Sequence, residues 1–190
     1  MRLVSYSILL ILGLSACVSE TEVLTPNVQT QIERRAAEGI LGAQAILESN
    51  VFKELDEAEY PIMVALPGVT VNLNNGKLVD TLNDYLREQE LSREAFLAHP
   101  LLDEFVRTHI VKDFVDIGKI RTSEGESFTF TNMNGDEVSF TTKDLTPTSG
   151  IFLNGVAFGT SCSIQNIGLY PETGQVCRVA APIEEFDWSQ

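Results

Sequence analysis

Two histidines, three cysteines and a short run of asparagine and aspartate are the side chains of this 190-residue chain that first invite a chemical reading. His99 and His109 stand ten positions apart, with neither a neighbouring cysteine nor paired carboxylates, so they make no recognisable zinc site. His99 precedes Pro100 and reads as a helix-start residue; His109 reads as a buried, hydrogen-bonded histidine. Asn132, Asn134 and Asp136 suggest a calcium loop, but such a loop needs glycine at its sixth position and glutamate at its twelfth. Counted from Asn132, Gly135 is fourth and Lys143 is twelfth, which is a hairpin turn rather than an ion site. Gly159-Thr160-Ser161-Cys162-Ser163 lacks the second glycine of a nucleophile elbow. No glycine-rich phosphate loop is present. The residues name no catalytic group, no metal ligand and no cofactor. The acidic end, Glu184-Glu185-Phe186-Asp187-Trp188, either presents Phe186 and Trp188 to a partner or packs them on its own domain.

Thirteen basic residues stand against 27 acidic ones, a formal net charge of −14. A surface of that sign repels phosphate backbones and anionic headgroups, which argues against nucleic-acid binding and against electrostatic attachment to a membrane.

Any membrane contact therefore has to come from elsewhere, and the amino terminus supplies a candidate. Met1-Arg2 is followed by the apolar stretch from Leu3 to Gly13 and then by Leu14-Ser15-Ala16-Cys17, the three parts of a secretory signal. The apolar stretch is shorter than the ~20 residues that cross a bilayer, and Ser19, Glu20 and Glu22 follow it instead of basic residues. Leu14-Ser15-Ala16-Cys17 resembles the lipobox of bacterial lipoproteins. That resemblance implies cleavage after residue 16, a diacylglycerol on the Cys17 sulfur and acylation of the new amino terminus. The partner is then a membrane reached through lipid, at a cell envelope and outside the cytoplasm. Val18, where an aspartate commonly retains lipoproteins on the inner membrane, leans towards the outer membrane in an envelope that has two.

Lipidation of Cys17 leaves Cys162 and Cys177. Outside the cytoplasm two remaining thiols normally pair, and a bridge closing such a loop contributes about 3 kcal/mol. The expectation is a structural disulfide.

The elements that position these residues follow from periodicity. Residues 17–30 are polar, contain Pro26 and read as a tether; 31–190 read as a single domain, large enough for a real core. Ile32, Ala36, Ile40, Ala43 and Leu47 predict one helix over Gln31–Glu48, with Val51, Phe52 and Leu55 on a following turn. Ile62-Met63-Val64-Ala65-Leu66 is an apolar strand closed by Pro67-Gly68. Val69, Val71 and Leu73 alternate up to Asn74-Asn75-Gly76. Leu78, Leu82, Tyr85 and Leu86 predict a helix. Pro100 opens a second one, with Asp103 and Glu104 near its positive end and Leu101, Leu102, Phe105 and Val106 on its core face. After Gly118 the period becomes two: Phe128 and Phe130, then Val138 and Phe140, flank Asn134-Gly135. Further strands are expected over Ile151–Phe158 around Asn154-Gly155, over Ser161–Ile167 and over Gln175–Ile183, with a turn at Tyr170–Gly174. Helices precede strands, so the fold class is α+β.

The order of these pieces resembles a fasciclin-like domain. The helical start ends in Phe52-Lys53-Glu54-Leu55, and Pro61-Ile62-Met63-Val64-Ala65-Leu66-Pro67 resembles the family's first motif. His99-Pro100-Leu101-Leu102 and Thr108-His109-Ile110-Val111 resemble its central helix and histidine. Ile151-Phe152-Leu153-Asn154-Gly155-Val156 matches its Asn-Gly strand, and Thr173-Gly174-Gln175-Val176-Cys177-Arg178-Val179 stands at its closing strand. Gly68 replaces a threonine, Thr108 replaces a tyrosine, and the His-Val-Ile-Asp run of the closing strand is missing. The resemblance implies a twisted β-sheet wedge or sandwich with several α-helices packed on it. It makes Pro67, His109, Asn154 and Gly155 structural. It also implies a module for adhesion or binding, through protein or matrix contacts and not catalysis. The alternative it offers is a carrier of a small apolar ligand, a lipid or pigment, which needs an exposed apolar groove.

Overall fold

The computed structural model describes residues 28–55, 61–72, 75–123, 125–143, 150–163 and 174–189, with the backbone alone at 143 and 160–163. The signal segment, Cys17, most of the tether, Leu73, Asn74, and the expected strand beyond Ser163 with its Tyr170–Thr173 turn lie outside the described residues.

The chain opens with α1 (Val28–Ala37) and α2 (Leu41–Glu48) rather than one long helix. Gly39 takes a left-handed backbone (φ 87°) and ends α1, and Ile40 is extended. The helix begins at Val28, three residues before its periodicity suggests, with Val28 buried. The short α3 (Val51–Glu54) follows, and then β1 (Met63–Leu66).

β1 is apolar at every position because both of its faces are covered. Val64 and Leu66 join a core with α1, α2 and the later helices. Met63 and Ala65 join a second core on the opposite face. After the Pro67-Gly68 turn, β2 (Val69–Val71) pairs with β3 (Leu78–Asp80) in a separate two-stranded ribbon. Leu78 is therefore a strand residue, not the first residue of a helix. The helix α4 starts at Leu82, where Asp80 Oδ1 accepts the Leu82 N–H.

Two more helices lead to the second half. Ser92 accepts the Ala95 N–H and opens α5 (Arg93–Leu97), which the periodicity missed. Pro100 lies in a turn, held by His99 accepting from Leu101 and Leu102, and α6 (Leu102–Thr108) begins beyond it. Next come β4 (Ile110–Val111) and α7 (Ile117–Thr122). The strand pattern expected after Gly118 is displaced to Ser127 because Asp116 caps Lys119 N and starts α7.

β5 (Ser127–Thr131), β6 (Glu137–Lys143), β7 (Gly150–Leu153) and β8 (Val156–Ser163) form an antiparallel meander. Phe128 faces Phe140 and Phe130 faces Val138 across the first hairpin. Asn154 and Gly155 both have positive φ (48° and 81°), the signature of a tight primed turn. β9 (Gln175–Val179) stops well short of Ile183. It lies between β8 and β1, antiparallel to the first and parallel to the second.

The seven-stranded order is β4-β1-β9-β8-β7-β6-β5. The sheet curls until its two edges touch at one corner. Val111 bridges Asn132, Lys112 N donates to Thr131 O (2.9 Å) and Met133 N to Ile110 O (2.8 Å). The class is α+β, a curled mixed sheet with α1–α6 packed on one face and α7 in the core on the other. Among the described residues no helix is long and apolar enough to cross a membrane.

Candidate functional site

His109 sits where α6, β1 and the chain end meet. Its ring is about 1% exposed. Nδ1 donates to Phe105 O (2.7 Å), Nε2 accepts from Ile183 N (3.2 Å), and its own carbonyl accepts from Ala65 N (2.8 Å). Those roles require the neutral ring. Burial pushes its pKa from 6.5 down to about 4, against the smaller upward effect of the Phe105 carbonyl.

The unfolded chain therefore takes up a proton at a pH where the folded one does not. His109 contributes fully to stability above about 6.5, and the contribution falls as pH drops towards about 4. The loss across that window is about 3 kcal/mol. A His109→Gln variant keeps one donor and one acceptor but cannot titrate. The stability difference between the two proteins, measured by urea unfolding at pH 7 and at pH 4.5, should change by about 2 kcal/mol; a constant difference refutes the assignment.

Thr108 carries a second junction. Its hydroxyl donates to Glu104 O (3.0 Å) and accepts from Asn134 Nδ2 (2.9 Å), which also reaches Glu104 O (3.1 Å). A threonine at this position binds the helix to the hairpin tip. Asn132 Oδ1 accepts from Asp136 N (2.9 Å) and shapes the turn, while its buried Nδ2 has no partner among the described residues. Glu184 lies against this tip, and its carboxyl is raised by burial first, then by Asp136 and Glu104. Among the described residues no group of three or more His, Cys, Asp or Glu is placed to hold a metal ion.

The other residues singled out in the sequence lie elsewhere. Pro67 and Gly68 are buried in the turn after β1, where Pro67 O abuts α2 at Gly42. Asn154, on the far hairpin, accepts from Ser139 N through its side chain (2.8 Å) and donates to Ser139 O through its backbone (2.9 Å), tying β7 to β6. Cys177 is buried in β9. The β8–β9 register shifts between Gly159, which faces Arg178, and Ser163, which faces Val176, so residues 160–162 stand against Cys177. Pro67 and Asn154 thus lie in separate turns and join different elements.

The tail packs. The Trp188 ring meets Phe96, Phe105 and His99 at 5.3, 5.6 and 5.1 Å between centroids, and Phe186 also meets Phe105 at 5.2 Å. Trp188 Nε1 donates to Tyr85 Oη (3.1 Å), and its carbonyl accepts from His99 Nε2 (3.2 Å). His99 thus serves its own turn with one nitrogen and the tail with the other.

Two further residues escaped the sequence reading. Asp80 accepts from Leu41 N (2.6 Å) as well as from Leu82 N (3.0 Å), so one carboxylate caps α2 and α4 together. An aspartate just before a helix was the available sign, for α4 alone. The buried Gln175 amide pairs with both backbone groups of Val115, 60 residues away, at 3.1 Å each, and nothing local announces that.

No protein-family model matches the chain, and no curated protein matches it. Among solved structures it is similar to a FAS1 domain pair from the insect cell adhesion molecule fasciclin I, at 14% identity and a TM-score of 0.46. The match covers 79% of this chain and 45% of that one, so the chain spans less than half of the neighbour's length.

Proposed function

We infer that the chain is a fasciclin-like binding module, anchored by lipid outside the cytoplasm and acting through surface contacts with a protein or matrix partner. The observation that carries this is the use of its reactive-type side chains. His99, His109, Thr108, Asn132, Asn134 and Asn154 all hold elements together, which leaves the exterior to do the work. The order of sequence motifs supports the fasciclin-like reading, since Pro67, His109 and Asn154-Gly155 each lie at a junction between elements.

The apolar-ligand alternative needs a contiguous exposed patch. The exposed large apolar residues among those described are Leu47, Val79 and Phe114, on α2, on β3 and in the loop after β4. They favour no such groove.

The anchor rests on Leu14-Ser15-Ala16-Cys17. Cys17→Ser is expected to shift the protein from the membrane pellet to the soluble fraction after cell lysis, and retention in the pellet defeats the lipoprotein reading. The cysteine count and the pairing of β8 with β9 support a Cys162–Cys177 bridge. Denatured, unreduced mature protein should then label with no thiol reagent; two labelled cysteines contradict the bridge. For the binding role, the test is a pull-down from envelope extract with the full chain in detergent. A reproducible protein or matrix partner is expected, and the absence of any partner speaks against the role.

A further inference from the structure

The chain has two histidines, and both fasten the same short segment, Ile183–Trp188. His109 Nε2 accepts from Ile183 N (3.2 Å), and His99 Nε2 donates to Trp188 O (3.2 Å). The segment is neither helix nor strand. Beyond Ala180, whose N–H donates to Ala157 O, no backbone–backbone hydrogen bond ties it to the rest of the fold among the described residues. Its side chains do the holding. Ile183 belongs to the core around α7 and Trp188 to the core under the other helices, with Phe186 packed against the latter. The Trp188 ring covers Phe96 and Phe105, both fully buried, and its indole donates to Tyr85 Oη. A segment held by rings and imidazoles, with no ladder of its own, opens at a lower free energy than the strands.

The two imidazoles respond differently to acid. His99 uses a proton on Nε2 for Trp188 O, so a second proton keeps that bond and gives up only the acceptor for Leu101 N. His109 carries its proton on Nδ1 for Phe105 O and offers Nε2 as an acceptor. A second proton turns Nε2 into a donor that faces the Ile183 N–H, and the two repel.

The elements packed around His109 bring Glu104 and Arg107 on α6, Lys112 after β4, Asp136 at the hairpin tip, and Glu184 and Glu185 on the segment itself; β1 brings none. Arg107 is paired with Glu54. Glu184 acts in the opposite sense. Burial, Asp136 and Glu104 raise its carboxyl, so acid neutralises it and relieves a repulsion that pushes the segment outward. That carboxyl is part-exposed and screened by water, whereas the His109 ring is enclosed, so the ring sets the direction.

We propose that Ile183–Trp188 is a strap released by acid, with His109 as its latch. Release uncovers Phe96 and Phe105 while the sheet stays paired. Burial holds the closed ring neutral down to about 4, and the opened ring meets water and regains the ordinary 6.5. The open form binds a proton that the closed form refuses, so closure is firmest above about 6.5 and weakens as pH falls towards about 4. The strap stands apart from the binding-module reading, and neither depends on the other.

The test is native-state hydrogen exchange, read by NMR on the full chain in detergent at pH 7.5 and pH 5 with low urea. It follows the Ile183 amide and the indole N–H of Trp188, the one tryptophan of the chain, beside the amides of β6. The strap protons should exchange through an opening with a shallower urea dependence than β6, because less surface is exposed. Corrected for intrinsic rates, their opening constant should rise about thirtyfold from pH 7.5 to pH 5. His109→Gln keeps a donor and an acceptor but cannot titrate, and should abolish the rise. His99→Gln should leave it intact, and Glu184→Gln should not diminish it. The wild-type urea slopes decide even where His109→Gln does not fold: strap protons that share the slope and protection of β6 leave only with the whole domain, which overturns the strap. No rise in the wild type, or a rise that survives His109→Gln, overturns the latch. A rise lost in His99→Gln or diminished in Glu184→Gln assigns the titration to that residue and overturns it as well.

Discussion

Replacing Trp188 with alanine is expected to cost about 3–5 kcal/mol, the range for emptying a large aromatic site. The indole is 8% exposed and is shared by Phe96, Phe105, Phe186 and His99. Its loss can act in two ways: by leaving a cavity, or by letting the Phe186–Trp188 segment lift from α5 and α6. Either route bares Phe105, itself in contact with His109 at 4.6 Å between ring centres. Domains of this size shift by about 2–4 °C per kcal/mol, so the melting temperature should fall by roughly 10 °C. Tyr85→Phe separates the hydrogen bond from the packing and should cost only about 1 kcal/mol. If thermal unfolding of Trp188→Ala moves no more than that of Tyr85→Phe, the tail does not hold the domain.

Gly68→Ala is expected to be comparably severe for a different reason. The Gly68 backbone is left-handed (φ 67°), and an added Cβ would lie 2.4 Å from Leu82 Cβ and 2.6 Å from Leu82 N. The conformational cost is about 1–2 kcal/mol; displacing the first turn of α4 adds about 1–3 kcal/mol. Gly76 supplies a matched control, with φ 68° and nothing within 4 Å of an added Cβ. Urea denaturation of Gly76→Ala isolates the backbone part, and the excess in Gly68→Ala measures the contact. Equal losses at the two sites would falsify the close packing of the turn on α4.

Short-range patterns carried much of the architecture. Period-two spacing located Phe128, Phe130, Val138 and Phe140 across one hairpin, Asn154-Gly155 marked the next turn, and the all-apolar run from Ile62 marked the strand buried on two faces. What failed was the reading of boundaries. Leu78 shares helical spacing with Leu82 and Leu86 by coincidence, and the chain is strand until Asp80 turns it. Gly39 divides what the spacing of Ile32, Ala36 and Ile40 presents as continuous. α5 offered only Ser92 as a start signal, and Phe96 is the one buried residue within its five.

The junctions were less legible than the elements. The Phe105 carbonyl is a helical turn from His109 and could be anticipated, but Ile183 is 74 positions away. Asp80 reaching Leu41, and Gln175 reaching Val115, are likewise products of the finished fold. Residue type can announce that a polar group needs a partner; only the tertiary path says which.

The position of β9 has a consequence in time. It lies between β1 and β8, so the last of the described strands is an interior strand of the sheet. A ribosome delivers the amino-terminal end first, and β1 then waits with one side unpaired while more than a hundred further residues emerge. The meander β5–β8 can assemble locally, but it cannot join β1 until Val179 has appeared. Completion of the sheet is thus postponed until β9 has emerged, since neither β1 nor the meander can close it alone.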